Sequence, residues 1–404
     1  GVPSPRQLVE RAAELGLPAI ALTDHDALYG LVPFVKRARE LGVKPILGAE
    51  ITLDDETHLT LLAENQAGYA SLCQLITKGR MSVEKGSANL PWAELASHAK
   101  GLICLTGCRK GLIPRLLLAH DVDGARQTLQ YLLETFGPAN VYVELQRNLQ
   151  RGDHVLSRRL STLAAEFGLK CVATGNAHYL QREEAQLQDV LVSIRERVPL
   201  PEAGEGLLRP NDDFFLRSAA EMYELFADLP EAVANTLEIA ERCNADLPRG
   251  LQVLPVYPTP ENMDAQAYLR QLCLKQLPRL YPPQVRTRHA VPLLEKELDL
   301  IARLGLANYF LVVRDIVSYC RQERILCHGR GSAANSIVAY LLGISAVDPL
   351  RLGLVVERFI SVEHGGTPDI DIDIDAARRE KVIQYVYERW GRDQFVRWGT
   401  VLHA

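Results

Sequence analysis

The sequence predicts an α/β protein: a parallel sheet or barrel first, then a mostly helical region that returns to strand near its end. Three observations carry this. Short apolar runs alternate with helix-spaced segments as far as residue 174. Breaker-rich residues 199–210 then open a stretch dominated by helical spacing. Finally, Pro368–Asp375 alternates strictly between carboxylate and isoleucine. Strands alternating with helices favour parallel pairing, and a period of two marks a strand with one buried face.

The elements follow in order. Ser4 is placed to cap and Pro5 to occupy the first helical position, with Leu8, Val9, Ala12 and Leu15 at helical spacing. Strands are expected over 18–23, 45–52, 59–63, 101–106, 140–145 and 170–174. Helices are expected over 31–41, 69–77, 112–118, 125–136 and 155–167. Past the breakers, helices are expected over 219–226, 230–243, 264–277 and 292–303, with a Pro-rich interruption at 247–260. A further helix is expected over 333–342. The expected domains are 1–198, 199–290 and 291–404.

Composition narrows the class. With 404 residues, 47% hydrophobic and 24% charged, the chain is long enough for two or three cores and too apolar for disorder. A net charge of −5 gives no overall basic footprint, so contact with nucleic acid would have to come from local patches. Eight scattered cysteines without a CxxC pair suit a reduced, cytoplasmic protein. No apolar run is long enough to span a bilayer, so no membrane partner is expected.

Ligand-type residues recur just after the predicted strands of the first half. His25 follows IALTD, Glu50 follows ILGA, Cys108 follows ICLTG and His178 follows VATGNA, while His58 opens HLTLLA. Strand ends of an α/β barrel converge on one face, and imidazole, carboxylate and thiolate together suit Zn²⁺ or Mn²⁺. Singly, each residue also reads as a cap, a turn or a small buried hydrophobe; the repetition is what points to a site. TDHD (Thr23–Asp26), GAE (Gly48–Glu50), His58, Gly107-Cys108 and GNAH (Gly175–His178) resemble successive motifs of the polymerase-and-histidinol-phosphatase (PHP) domain. The resemblance implies a distorted (β/α) barrel with metal ligands at His25, Glu50, His58, Cys108, Asn176 and His178. The family's opening His-x-His pair has no counterpart here and would fall just before Gly1. Asn176 stands where an aspartate is usual, and a neutral amide is a poorer ligand for a hard cation, so the cluster is expected to be degenerate.

A second constellation lies near the end of the sequence. Gly329-Arg330-Gly331-Ser332 precedes an apolar helical run, and glycine, a capping serine and an arginine are what a phosphate-binding loop needs. In Pro368–Asp375 all four carboxylates share one strand face, which asks for cations. Ile325–Pro349, ERFIS (Glu357–Ser361) and PDIDIDI (Pro368–Ile374) resemble, in order and spacing, the palm of bacterial C-family DNA polymerases, the DNA polymerase III alpha subunit family. Cys327-His328 before the loop, Asn335, Asn176 and the short Glu50–His58 gap place the resemblance closer to the error-prone members. It implies a nucleotidyltransferase-like palm, with catalytic, Mg²⁺-binding Asp369 and Asp371, and with Arg330, Gly331 and Ser332 on the incoming triphosphate. DNA primer-template and deoxynucleoside triphosphates are the implied partners, with a sliding clamp and accessory translesion proteins contacting segments outside this chain. The chain is expected to be truncated at both ends and to lack processive synthesis alone. Two other readings stay open: a metal-dependent phosphoesterase or 3′–5′ exonuclease residing in the barrel, and a barrel that is only a structural support.

Overall fold

Ser4 starts the first helix as expected, through a reciprocal cap. Its Oγ accepts from the Gln7 N–H (3.4 Å) while Gln7 Oε1 accepts from the Ser4 N–H (3.0 Å), and the helix runs Pro5–Glu14. The computed structural model describes residues 1–84, 87–204, 207–248, 256–354 and 370–391. Two compact units divide the chain, Gly1–Leu247 and Pro248–Ala404.

The first unit is built on a six-stranded sheet whose spatial order is the chain order: β1 (Ala19–Leu22), β2 (Lys44–Thr52), β3 (His58–Ala63), β4 (Leu102–Leu105), β5 (Val141–Gln146) and β6 (Cys171–Thr174). Pairing is parallel for β1–β2, β4–β5 and β5–β6, but β3 runs antiparallel to both of its neighbours. The expected all-parallel arrangement therefore fails at one strand. The reason is the connection 53–57, which is far too short for a crossover and can only turn the chain back. Among the described residues no ladder joins β1 to β6, so the sheet is a half-barrel rather than a closed ring. Its two ends still approach, since the Val2 N–H donates to the His178 carbonyl at 2.7 Å.

Both sheet faces are covered, which is why its strands read as nearly unbroken apolar runs. One face packs Leu59, Leu61, Cys104, Val143 and Leu145 against Leu72, Leu75, Leu129, Leu132, Leu160 and Leu163 of three helices. The other packs Ile46, Leu62, Ile103, Leu105, Tyr142 and Val172 against Ile239, Ala240 and Cys243, from or just after helix Pro230–Arg242. That helix lies beyond the boundary expected at residue 198, so the first unit extends to Leu247 because the sheet needs a second cover. Arg147, at the end of β5 and only 1% exposed, ties this extension down. Its guanidinium donates to both Asp228 oxygens (2.5 and 3.0 Å) and lies 4.6 Å over the Phe226 ring.

The second unit packs helices Ala265–Leu280, Val291–Arg303 and Ala307–Gln322 around the short helix Ile337–Leu341. Strands β7 (Cys327–Arg330) and β8 (Asp371–Ile374) form an antiparallel ribbon. Ile374 and Cys327 face Val312, Ile316 and Cys320 beneath it, and the alternation turns its isoleucines inward, Ile370 buried and Ile372 and Ile374 partly so. The helix expected over 333–342 is instead a 3₁₀ turn (Gly331–Asn335) and the helix Ile337–Leu341, broken at Ser336. Ser336 is extended, and its Oγ accepts from the Ala339 N–H at 2.8 Å. Glu297, fully buried, accepts from the Ile337 and Val338 N–H groups (2.9 and 3.3 Å) and from the Ser336 hydroxyl. The start of this helix is thus satisfied from inside the protein and presents no free N–H row to an external anion.

None of the eight cysteines is in a disulfide. Among the described residues no helix is long and apolar enough to cross a membrane.

Removing the Glu297 carboxylate strands three buried donors at roughly 1–3 kcal/mol each. Glu297→Ala is therefore expected to lower unfolding free energy by at least about 3 kcal/mol in urea denaturation, and Glu297→Gln, which keeps one acceptor, by clearly less.

Candidate metal centre and nucleotide-binding ribbon

Reversal of β3 is what assembles the first site. Because β3 runs against β2, its first residue lies where β1 and β2 end, with Thr52 opposite His58 and Glu50 opposite Thr60. The segment after β1 is pinned to the same edge, the Asp26 N–H donating to the Glu50 carbonyl (2.9 Å) and the Glu50 N–H to the Asp24 carbonyl (3.1 Å). Asp26 spends its carboxylate on Thr52, accepting from its N–H (2.8 Å) and its hydroxyl (2.7 Å), so it locks the loop rather than joining the site. Asp24 carries a carboxyl raised by burial.

His25, Glu50 and His58 present ligand atoms that all lie within 4.8 Å of one another. Glu50 bridges them, with Oε2 3.5 Å from His25 Nε2 and Oε1 3.0 Å from His58 Nδ1. Cys108 joins from the end of β4, its Sγ 3.9 Å from Glu50 Oε1. Gly107 makes that approach possible: at φ +89°, a side chain there would put its Cβ 2.3 Å from the His58 carbonyl. Burial alone would raise the Glu50 carboxyl, but the hydrogen bond to His58 and the charges of His25, His58 and Arg209 outweigh it and hold it below the usual range. His58 is correspondingly pushed up to about 9, by hydrogen bonding to Cys108 first and to Glu50 second.

The other expected ligands behave differently. Asn176 sits at φ +47°, a left-handed conformation that asparagine tolerates, in the loop that carries His178. His178 stands apart from the trio: its Nε2 accepts from the Arg209 guanidinium, and burial followed by the Arg209 charge depresses the imidazole to about 3, so it is neutral. Two residues beside the site escape the sequence reading, Arg209 and Glu144. Glu144, on β5 and 4% exposed, gives Oε1 to Thr174 and Gln146, while Oε2 has no hydrogen-bond partner. Burial raises it, and so does the nearby Glu50 charge. A buried carboxylate oxygen without a side-chain partner, close enough to feel the Glu50 charge, fits a site able to hold a cation.

The second site lies on the β7–β8 ribbon, in the other unit. Register places Arg330 opposite Asp371 and His328 opposite Asp373. Arg330 Nε is 3.1 Å from Asp373 Oδ1, its Nη2 is 3.8 Å from Asp371 Oδ2, and His328 Nε2 is 3.8 Å from Asp373 Oδ2. Asp371 and Asp373 are thus each met across the ribbon by a cationic or basic side chain. The loop begins where the ribbon ends. Gly331, at φ +66°, has Asp371 Oδ2 3.6 Å from where a Cβ would sit, and the Asn335 amide donates to the Ser332 carbonyl (3.0 Å). Gly329 is forced: a Cβ there would come 2.9 Å from the Ile344 carbonyl. Asp369, the other expected metal carboxylate, lies outside the described residues. Half-exposed Asp371 is suited to a hard divalent ion, with Arg330 holding the carboxylate row without one.

Comparison with known proteins matches this two-part plan. The family model of the PHP domain matches residues 1–148, and that of the bacterial DNA polymerase III alpha NTPase domain matches residues 267–404. The error-prone DNA polymerase of Mycolicibacterium paratuberculosis is 41% identical over 97% of this chain. Nearly the whole chain is thus similar to part of an error-prone DNA polymerase, with a PHP match followed by a DNA polymerase III alpha match. Error-prone DNA polymerases of Symbiobacterium thermophilum and Pseudomonas paraeruginosa are each 40% identical, over 96% and 98% of the chain. The chain spans about 37% of the length of each of these three relatives. A solved structure described as a metal-dependent phosphoesterase from Bifidobacterium adolescentis superposes with a TM-score of 0.29 and 18% identity over 43% of the chain, too weak a likeness to argue from.

A proton on His58 blocks coordination, so an ion must expel it. With His58 raised to about 9, that proton is present at pH 7. Calorimetric Mn²⁺ titration in buffers of different ionisation enthalpy is expected to report release of about one proton per ion at pH 7. The release should fade as pH rises through about 9, and His58→Ala should abolish it.

Proposed function

We propose that this chain carries the nucleotide site of a DNA-directed DNA polymerase of the error-prone type, acting in repair-associated synthesis by two-metal nucleotidyl transfer. One observation carries the reading: the ribbon register that sets Arg330 opposite Asp371, with Gly331 against the same carboxylate. A loop that can grip phosphate is thereby held within reach of a carboxylate that can hold a metal, which is the pairing a triphosphate–metal complex requires.

In this reading Asp371 and Asp369 hold Mg²⁺, which when bound would activate a primer 3′-hydroxyl and neutralise the departing pyrophosphate. Arg330 turns from the aspartates to the β and γ phosphates, a bidentate donor exchanging carboxylate for phosphate. Gly331 and Ser332 bring backbone and hydroxyl donors to the same oxygens, with Asn335 bracing the turn through the Ser332 carbonyl. Template pairing rather than these residues selects the base. The substrates are primer-template DNA and deoxynucleoside triphosphates in the cytoplasm, with a sliding clamp and accessory translesion proteins as partners of the whole polymerase.

A second reading concerns the first unit, and the trio His25, Glu50 and His58 favours it. We infer a bound Zn²⁺ or Mn²⁺ there, with Cys108 as a further donor, in a centre that serves hydrolysis of a phosphoester or the stability of the half-barrel.

Losing one metal carboxylate forfeits several kcal/mol of charge stabilisation, or roughly a thousandfold in rate. In a protein carrying this chain at the full length of its relatives, Asp371→Asn should lower Mg²⁺-dependent primer extension by about that factor without moving the melting temperature. Extension at the wild-type rate would exclude Asp371 from the metal set.

A further inference from the structure

The first unit carries a strongly basic face that neither reading above uses. Residues 106–120, after β4, hold three arginines or lysines, and residues 147–159, after β5, hold four; Asp153 is their one acid, in a chain of net charge −5. These segments are neighbours in space. Because β4 and β5 run parallel, both segments open at the edge where Cys108 approaches Glu50. Their helices, Leu112–Leu118 and Asp153–Glu166, pack together, with Arg159 Nη1 donating to the Leu117 carbonyl (2.9 Å). The one acid is spent inside: buried Asp153 accepts from Arg109 at Oδ1 (2.7 Å) and from the Asn148 and Gln150 N–H groups at Oδ2 (both 2.9 Å). Of the acids that follow, Asp121 caps the next helix through the Gly124 N–H (2.9 Å) and Asp123 pairs with Arg126. Arg147 is buried against Asp228, but Lys110, Arg115, Arg151 and Arg158 are exposed and form no ion pair among the described residues.

Cations gathered without acids between them repel one another and raise the local positive potential, which draws a polyanion. The face is also rigid. Asp153 ties down the residues on either side of Leu149, the Asn211 amide donates to the Asn148 carbonyl (2.7 Å), and Arg109 joins the two loops by donating to the Arg151 carbonyl (3.3 Å). Leu149 is thereby held at φ +53° and 57% exposed, and Val155 is 55% exposed on the adjoining helix. Fixed cations with apolar surface between them match a sugar-phosphate backbone, whose charges recur at short intervals with sugars between. We propose that this face binds the backbone of a DNA strand through Lys110, Arg115, Arg151 and Arg158, without regard to base sequence. The inference takes from the proposed function only the choice of DNA among polyanions, and it needs neither metal.

The test is fluorescence anisotropy of a labelled single-stranded DNA oligonucleotide titrated with the 404-residue chain in EDTA, so that no metal contributes. Combining Lys110→Ala, Arg151→Ala and Arg158→Ala should weaken binding at least about tenfold, and should flatten the slope of log affinity against log salt by roughly 2, at about 0.7 per phosphate contact. The melting temperature should hold, since none of the three side chains has an ion pair to lose. A control combining Arg6→Ala, Lys36→Ala and Lys100→Ala changes the net charge equally and should bind as wild type does. No binding by wild type, unchanged binding in the first variant, or equal weakening in both variants overturns the proposal. So does tighter binding of the wild-type chain to phosphatidylserine vesicles than to DNA. With no Mg²⁺ or nucleotide present, failure here leaves the ribbon reading standing, and failure of the Asp371→Asn test leaves this binding intact.

Discussion

A carboxylate must be met by positive charge or donated protons as it leaves water, and carboxylates at three depths organise this chain. Glu50 sits between two imidazoles at the edge of the half-barrel. Glu297 lies wholly inside the second unit, where two backbone N–H groups and a hydroxyl surround it. Asp371 and Asp373 stand on an exposed ribbon, each opposite a basic side chain. The interaction is the same in all three, but the depth differs, and depth decides the role. A wholly enclosed carboxylate with fixed donors can only hold structure. One that is partly open, with partners that can move or lose a proton, is able to exchange them for a metal.

That distinction changes how the Gly-Ser loop works. A loop followed directly by a long helix would draw on the helix N-terminus for anion binding. Here Glu297 has already claimed those N–H groups, leaving the side chain of Arg330 and the local donors of the turn. On the proposed reading, grip on phosphate would come from Arg330 and the turn, with the helix contributing position only.

Much of the architecture was legible because local signals were unambiguous. The helices at Leu31–Leu41 and Leu112–Leu118 match their expected limits, and Ser4 with Pro5 marked the first helix start. Strands β1 to β6 fell where short apolar runs predicted. The direction of β3 was not written in its residues, since HLTLLA would look the same either way; only the short connection before it carried that information. Ala307–Gln322 had no clean polar stripe, because eight of its residues are buried and its apolar surface is broad. Of the expected metal ligands, His25, Glu50 and His58 converge with Cys108 alongside, whereas His178 is held apart by Arg209. No pattern near residue 209 announces that contact, which depends on a long-range fold. Glu144 left a faint trace as a single charge in the apolar run NVYVEL. The break at Ser336 could not be read locally, since the acid responsible lies 39 residues upstream.

The turn between β2 and β3 also limits how this protein can change over generations. Strand pairing alternates faces residue by residue, so a slip of one position would carry His58 to the opposite side from Glu50 and reverse the inward set Leu59 and Leu61 at once. Lengthening the connection itself is cheap, because loop closure grows only slowly with length. Insertions are therefore tolerable between Leu53 and Thr57 as long as the ladder from Thr52 and His58 inward keeps its register. The exposed tip of that turn, residues 54–56, can vary in number and kind, while Leu53 and Thr57, each 1% exposed, and the residues flanking them are bound to the core and the site.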